Sequence, residues 1–272
     1  MRFSRERPFV IVGAGKMGGA MLAGWLSRGI DAASLLVVDP NPSDDLKAFL
    51  AQHGIVHAPV VPAGTRAALV LIAVKPQIMG SVLPGLAPAV APDTLVLSVA
   101  AGTPVRAFEA AFGPVPIIRA MPNTPAMVGR GVTALFPTPA VSDPDRAMVA
   151  ELLSAVGSVE WLTSEDQIDL VTAVSGSGPA YVFLMAECLA EAGRKAGLPA
   201  DLAARLAEAT VSGAGELLFR SDDTPAVLRQ NVTSPNGTTA AALSVLMAPD
   251  GLQPLMDAAV SAAAQRAREL AG

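Results

Sequence analysis

The sequence predicts an α/β chain, with an N-terminal doubly wound parallel sheet followed by a C-terminal all-α domain. Two observations carry this reading. Over roughly the first 160 residues, short near-continuous apolar runs alternate with helical stretches, the pattern of strands buried on both faces. After Glu165 such runs stop, and Ala, Leu, Glu and Arg dominate to Gly272.

Taken in order, Phe9-Val-Ile-Val12 is the first β-like run, and helical periodicity follows from Met17 to Arg28. Leu35-Leu-Val-Val38 is the second run, with a helix expected over Asp44–Gln52. Leu69-Val-Leu-Ile-Ala-Val74 is the third, closed by a turn at Lys75-Pro76. Leu95–Ser98 and Val115–Ile118 are further candidates, and Val132–Phe136 and Val159–Leu162 add edge strands around a helix over Asp143–Val156. Beyond Glu165, Gly197-Leu-Pro199, Asp222-Asp-Thr-Pro225 and Pro249-Asp-Gly251 read as helix stops followed by new starts. The domains divide as 1–164 and 165–272.

Of the 272 residues, 51% are hydrophobic and 16% charged, enough apolar surface for a large core and, on the helical domain, for a partner. A net charge of −5, 4% aromatic content and no basic run exclude a nucleic-acid groove. The lone Cys188 excludes an internal disulfide and reads as a small core residue; it suits a reducing compartment. No signal-peptide core follows the charged N-terminus, and the uncharged segment Leu170–Ala186 is interrupted by Ser175-Gly-Ser-Gly-Pro179, which makes a poor membrane span. The expectation is a cytosolic protein. His53 and His57 flank a β-like run remote from the motifs below and read as structural or surface residues. No metal-ligand cluster or nucleophile elbow is present.

Gly13-Ala14-Gly15-Lys16-Met17-Gly18 follows the first strand and opens a helix. In such a loop the first glycine makes a tight turn, the second lets backbone approach a pyrophosphate, and the third lets helix and strand pack closely. An acid, Asp39, ends the second strand about twenty residues on, the distance at which a carboxylate reaches an adenosine ribose. The loop thus marks a Rossmann-type dinucleotide site for NADPH or NADH. Asp39 would repel a 2′-phosphate and Pro40-Asn41-Pro42-Ser43 offers no Arg to hold one, so the reading leans toward NADH. The same Asp39 also suits a turn cap before Pro40.

Further motifs lie in order along the chain: Ala73-Val74-Lys75-Pro76-Gln77, Ser98-Val99-Ala100-Ala101-Gly102, Arg119-Ala-Met-Pro-Asn123-Thr-Pro125, Ala173-Val-Ser-Gly-Ser-Gly-Pro-Ala-Tyr181 and Asn231-Val-Thr-Ser234-Pro-Asn236-Gly237-Thr238-Thr239. With the glycine loop at the start, the set resembles pyrroline-5-carboxylate reductase over nearly the whole chain. Asn236 stands where that family more often has glycine; Asn tolerates left-handed backbone, so the turn should survive.

The resemblance implies reduction of a cyclic imine carrying a carboxylate by hydride from NAD(P)H, yielding L-proline. Lys75, Ala100 and Asn123 fall just past strand ends and should line one crevice. By resemblance, Ala73–Pro76 and Val99–Ala101 flank the cofactor's ribose and nicotinamide. Lys75 could bond a ribose hydroxyl or draw an anionic substrate, or be a solvated helix-start lysine. The Thr233–Thr239 stretch, read locally, is a well-capped helix start; by resemblance it is the substrate loop. Ser234, Asn236, Gly237 and Thr238 then take the carboxylate and Thr239 the imine nitrogen.

Tyr181, Leu184, Met185, Cys188 and Leu189 recur at helical spacing, as an internal core stripe or as the face of a homodimer, possible in larger oligomers, in which subunits interlock. A β-hydroxyacid dehydrogenase is the nearest rival, but it needs a catalytic lysine in the helical half. Lys195, at a helix end, is the only lysine there and is poorly placed. A non-catalytic nucleotide-binding regulator should have lost the substrate loop.

Overall fold

A computed structural model describes residues 3–271. Ser177–Ala263 forms one compact unit, and the other described residues, 264–271 included, form a second.

The second unit is built on a sheet in the order β3-β2-β1-β4-β5-β6-β7-β8. Its strands are β1 Phe9–Val12, β2 Leu35–Val38, β3 Val56–Ala58, β4 Leu69–Ile72, β5 Leu95–Ser98, β6 Ile117–Met121, β7 Gly131–Pro137 and β8 Gly157–Trp161. Neighbours run parallel except β6 and β7. The central strands are buried from end to end. Side chains on a strand alternate between faces, so each strand feeds two cores. Phe9, Ile11, Leu35, Val37, Leu69 and Leu71 join one cluster. Val10, Val12, Leu36, Val38, Val70 and Ile72 join the other.

Helices cover both clusters. On the first lie α1 Lys16–Ser27, α2 Asp44–His53 and α5 Asp143–Leu153, through Met21, Leu22, Trp25, Leu46, Leu50, Val149 and Leu152. On the second lie α3 Met79–Leu86 and α4 Val105–Phe112, through Met79, Leu83, Leu86, Val105 and Phe108. This is the doubly wound arrangement expected, and its strand order reverses between β1 and β4, where such sheets bind ligands.

Two expected boundaries are corrected. The run proposed at Val115–Ile118 begins at Ile117 and continues to Met121, because Pro116 has no N–H for the ladder and Arg119 is carried inside by an ion pair. The β-like run between the histidines is the edge strand β3, which contains His57 rather than being flanked by it. Its three residues are largely exposed, so they lack the apolar signature of the buried strands.

After Glu165 every described element is helical: α6 Gln167–Val171, a π-helical turn at Thr172–Gly176, α7 Gly178–Lys195, α8 Ala200–Arg220, α9 Pro225–Asn231, α10 Thr238–Leu246 and α11 Leu252–Ala271. The expected Gly- and Pro-containing stops fall between them, and Pro179 sits in the first turn of α7, where its missing N–H costs nothing. Within the helical unit α7 packs on α8: a Cβ on Gly193 would touch Ala203 at 3.4 Å, and Ala203 and Ala207 are buried. Phe183, Leu184, Met185 and Leu189 are exposed, as is Cys188, which is therefore not a core residue of the single chain.

Candidate active site

At the strand-order reversal the glycine loop and its neighbours border a cleft of about 580 Å³. Gly13 turns the chain at φ 80°, and its N–H donates to the Val38 carbonyl at 2.9 Å. A methyl on Gly18 would sit 2.6 Å from the Gly13 carbonyl oxygen, so glycine lets α1 close on β1. A Cβ on Gly15 would meet nothing within 4 Å, and the residue lines the cleft. Gly15 is also the N-cap of α1, with no side-chain cap and no acid in the first turn. The N–H groups of Lys16, Met17 and Gly18 are left for an anion at the positive end of the helix. Met17 leans its side chain on the core.

Asp39 sits half-buried at the end of β2. Its Oδ2 accepts the Ala14 N–H at 3.2 Å and its Oδ1 the Asn41 N–H at 2.9 Å. The turn-capping reading of Asp39 is thus met, the carboxylate also pins the glycine loop, and the residue lines the cleft. Its carbonyl oxygen lies 2.9 Å from His57 Nε2. His57 is accordingly not remote from the motifs, a correction to the sequence expectation; His53 stacks on Phe49.

Ala73, Val74 and Lys75 line the same cleft from the end of β4. The Ala73 N–H donates to the Val12 carbonyl at 2.8 Å, and Pro76 opens a short 3-10 turn behind the exposed Lys75. Val99, Ala100 and Ala101 follow β5, with the Ala100 N–H on Ser98 Oγ at 3.3 Å. Asn123 follows β6 with its amide turned to the protein: Oδ1 accepts the Val132 N–H at 2.9 Å and Nδ2 donates to the Ser175 carbonyl at 3.2 Å. Sequence reasoning missed Pro59, Val60 and Val61 beyond β3, Ile78 just before α3, and Ser81 and Val82 on α3, all lining the cleft.

The donor set fits a dinucleotide: uncapped amides for the pyrophosphate, an acid for a ribose, and apolar walls from Val12, Val38, Val60, Val61 and Val74.

In the helical unit the second predicted group is gathered at one turn. The Gly237 N–H donates to the Ser234 carbonyl at 3.0 Å, Asn236 takes φ 59°, and Gly237 caps α10 without a side-chain bond. Asn236 is the sole described non-glycine residue at positive φ, so the tolerance expected of it is used. Thr238 and Thr239 form the first turn of α10, its amides open to an anion as at α1. Lys195 ends α7 with its side chain 70% exposed, 3.6 Å from Glu191, which is no setting for a buried base.

Residues 165–270 match the family model for pyrroline-5-carboxylate reductase dimerisation, and residues 8–102 match that for NADP oxidoreductase, coenzyme F420-dependent. Along its whole length the chain is 42% identical to the pyrroline-5-carboxylate reductase of Pseudomonas aeruginosa, over 96% of this chain and 95% of that protein. It belongs to the pyrroline-5-carboxylate reductase family. Among solved structures, the pyrroline-5-carboxylate reductase of Coxiella burnetii matches with a TM-score of 0.90 at 36% identity, over 98% of this chain and 99% of that one. The Plasmodium falciparum pyrroline carboxylate reductase with NADP bound matches at 0.80 and 28%, over 98% of both chains. Membership in this reductase family explains the apolar stretch Gln167–Lys195. It is the one described helical run long and apolar enough to cross a membrane, with a hydropathy of 1.3, and it lies in the dimerisation region.

Proposed function

We propose that the chain reduces 1-pyrroline-5-carboxylate to L-proline with NAD(P)H, the last step of proline biosynthesis. The observation that carries the reading is the intact Ser234–Thr239 turn at the open N-terminus of α10, in a chain that also has a cleft lined by Gly13, Gly15, Asp39, Ala73, Val74 and Lys75.

Gly13–Gly18 and Asp39 hold the pyrophosphate and adenosine ribose; Ala73–Pro76, Val99–Ala101 and the Asn123 backbone bound the nicotinamide end. Ser234, Asn236, Gly237 and Thr238 take the substrate carboxylate through N–H and O–H donors, which needs no cationic residue. Thr239 hydrogen-bonds the imine nitrogen through its hydroxyl, donating to the neutral imine or accepting from the N–H of the protonated one, and so fixes which ring carbon is presented. When bound, the reduced nicotinamide supplies the hydride that forms the new C–H bond. Lys75, exposed at the cleft, bonds a ribose hydroxyl and draws the anionic substrate. A hydroxyl is too weak an acid to give up its proton at neutral pH, so the imine arrives protonated or a water delivers the proton. Positioning at near-attack distance is the main contribution of these residues.

Residues 1–164 serve the dinucleotide, and 165–272 serve substrate and a homodimer from which any larger oligomer is built. The enzyme works in the cytosol.

Thr239→Ala tests the central role. Turnover should fall about 100-fold, the low end for loss of a positioned proton-handling group, with dinucleotide affinity unchanged. Unaltered turnover removes Thr239 from the chemistry.

A further inference from the structure

We infer that Asp39 makes this reductase an NADH enzyme, selecting against the 2′-phosphate of NADPH; the inference rests on the dinucleotide reading of the cleft. It runs against the NADP named for the matching N-terminal family model and the NADP held by the Plasmodium relative.

Four bonds fix the aspartate. Its carboxylate accepts the Ala14 and Asn41 N–H groups, its own N–H donates to the Ala58 carbonyl at 3.1 Å, and its carbonyl meets the His57 ring. The carboxylate therefore cannot swing aside for a phosphate without releasing the glycine loop. A carboxylate has about four acceptor positions, and the two backbone amides leave room for the hydroxyls of an unmodified ribose. A phosphate at the same place offers only acceptors and negative charge.

The surroundings sharpen the choice. Asp44 and Asp45 open α2 just beyond the turn, adding two acids, and Lys47 pairs with Asp44 at 2.9 Å. The Ser43 hydroxyl accepts the Leu46 N–H at 3.2 Å as the cap of α2. Next to Asp39 the cleft is walled by Pro40, Asn41, Pro59, Val60 and Val61, none cationic. Lys75, the cation lining the cleft, follows β4, on the other side of β1 from the strand that carries Asp39.

The test is direct binding of NADH and of NADPH to the full chain without substrate, followed by nicotinamide fluorescence, for wild type and Asp39→Asn. Because no imine is present, the result is independent of whether the chain reduces pyrroline-5-carboxylate. We expect the NADPH-to-NADH ratio of Kd values to exceed ten in the wild type and to fall threefold or more in Asp39→Asn, chiefly through tighter NADPH binding. A smaller wild-type ratio or a smaller fall overturns the inference. Should Asp39→Asn not fold, Asn41→Arg decides in its place: it adds a cation beside an intact Asp39 and should tighten NADPH binding at least threefold, and failure to do so overturns the inference equally.

Discussion

Asn236 holds φ at 59° where the Ser234–Gly237 turn delivers the chain into α10. Left-handed backbone costs a β-branched residue roughly 1–3 kcal/mol and costs glycine almost nothing. Asn236→Gly should therefore keep stability and KM for the imine, whereas Asn236→Val should raise KM at least tenfold while leaving dinucleotide affinity alone; steady-state kinetics with both variants reads this out. The conformation was legible because Asn236 stands where the resembled family more often has glycine, and Asn tolerates the left-handed region. The commitment of the Asn123 amide to Val132 and Ser175 was not, since both partners come from distant segments and no local pattern announces them. The place of His57 at Asp39 was hidden for the same reason.

At the scale of elements, the strand–loop–helix unit from β1 to α1 separates binding from folding. Gly15 has extended backbone and free space around its missing Cβ, so Gly15→Ala should alter unfolding free energy by less than about 0.5 kcal/mol yet weaken dinucleotide binding more than tenfold. Gly18→Ala instead meets the Gly13 carbonyl and should cost about 1–3 kcal/mol as overpacking; denaturant titration of the pair distinguishes them. Arg119 makes a second case. It is 5% exposed on β6, and its Nη1 donates to Glu165 Oε1 at 2.6 Å, an oxygen that also accepts the Val105 N–H. Glu165→Ala strands that charge and should destabilise the sheet unit by about 3–5 kcal/mol. The apolar strands were readable from their runs alone, while the extent of β6 was blurred by Pro116 and the buried Arg119, and that of β3 by its exposure.

For the molecule as a whole, the helical unit presents Phe183, Leu184, Met185, Val245 and Met247 to solvent in the single chain. An exposed apolar surface of this kind marks an interface, in keeping with the match of residues 165–270 to a dimerisation family model. Phe183→Asp should shift the sedimentation profile toward monomer and make thermal stability less dependent on protein concentration. Composition disclosed the apolarity of this unit; that the stripe through Leu184 and Cys188 is surface emerged only from the packing, because period alone does not say which side a helix buries. The account as a whole rests on a carboxylated cyclic imine being the substrate. Incubating the full chain with 1-pyrroline-5-carboxylate and reduced dinucleotide, and quantifying L-proline against dinucleotide oxidised, addresses this most directly: one L-proline per dinucleotide is the expected outcome, whereas no L-proline, with the dinucleotide left reduced, would contradict it.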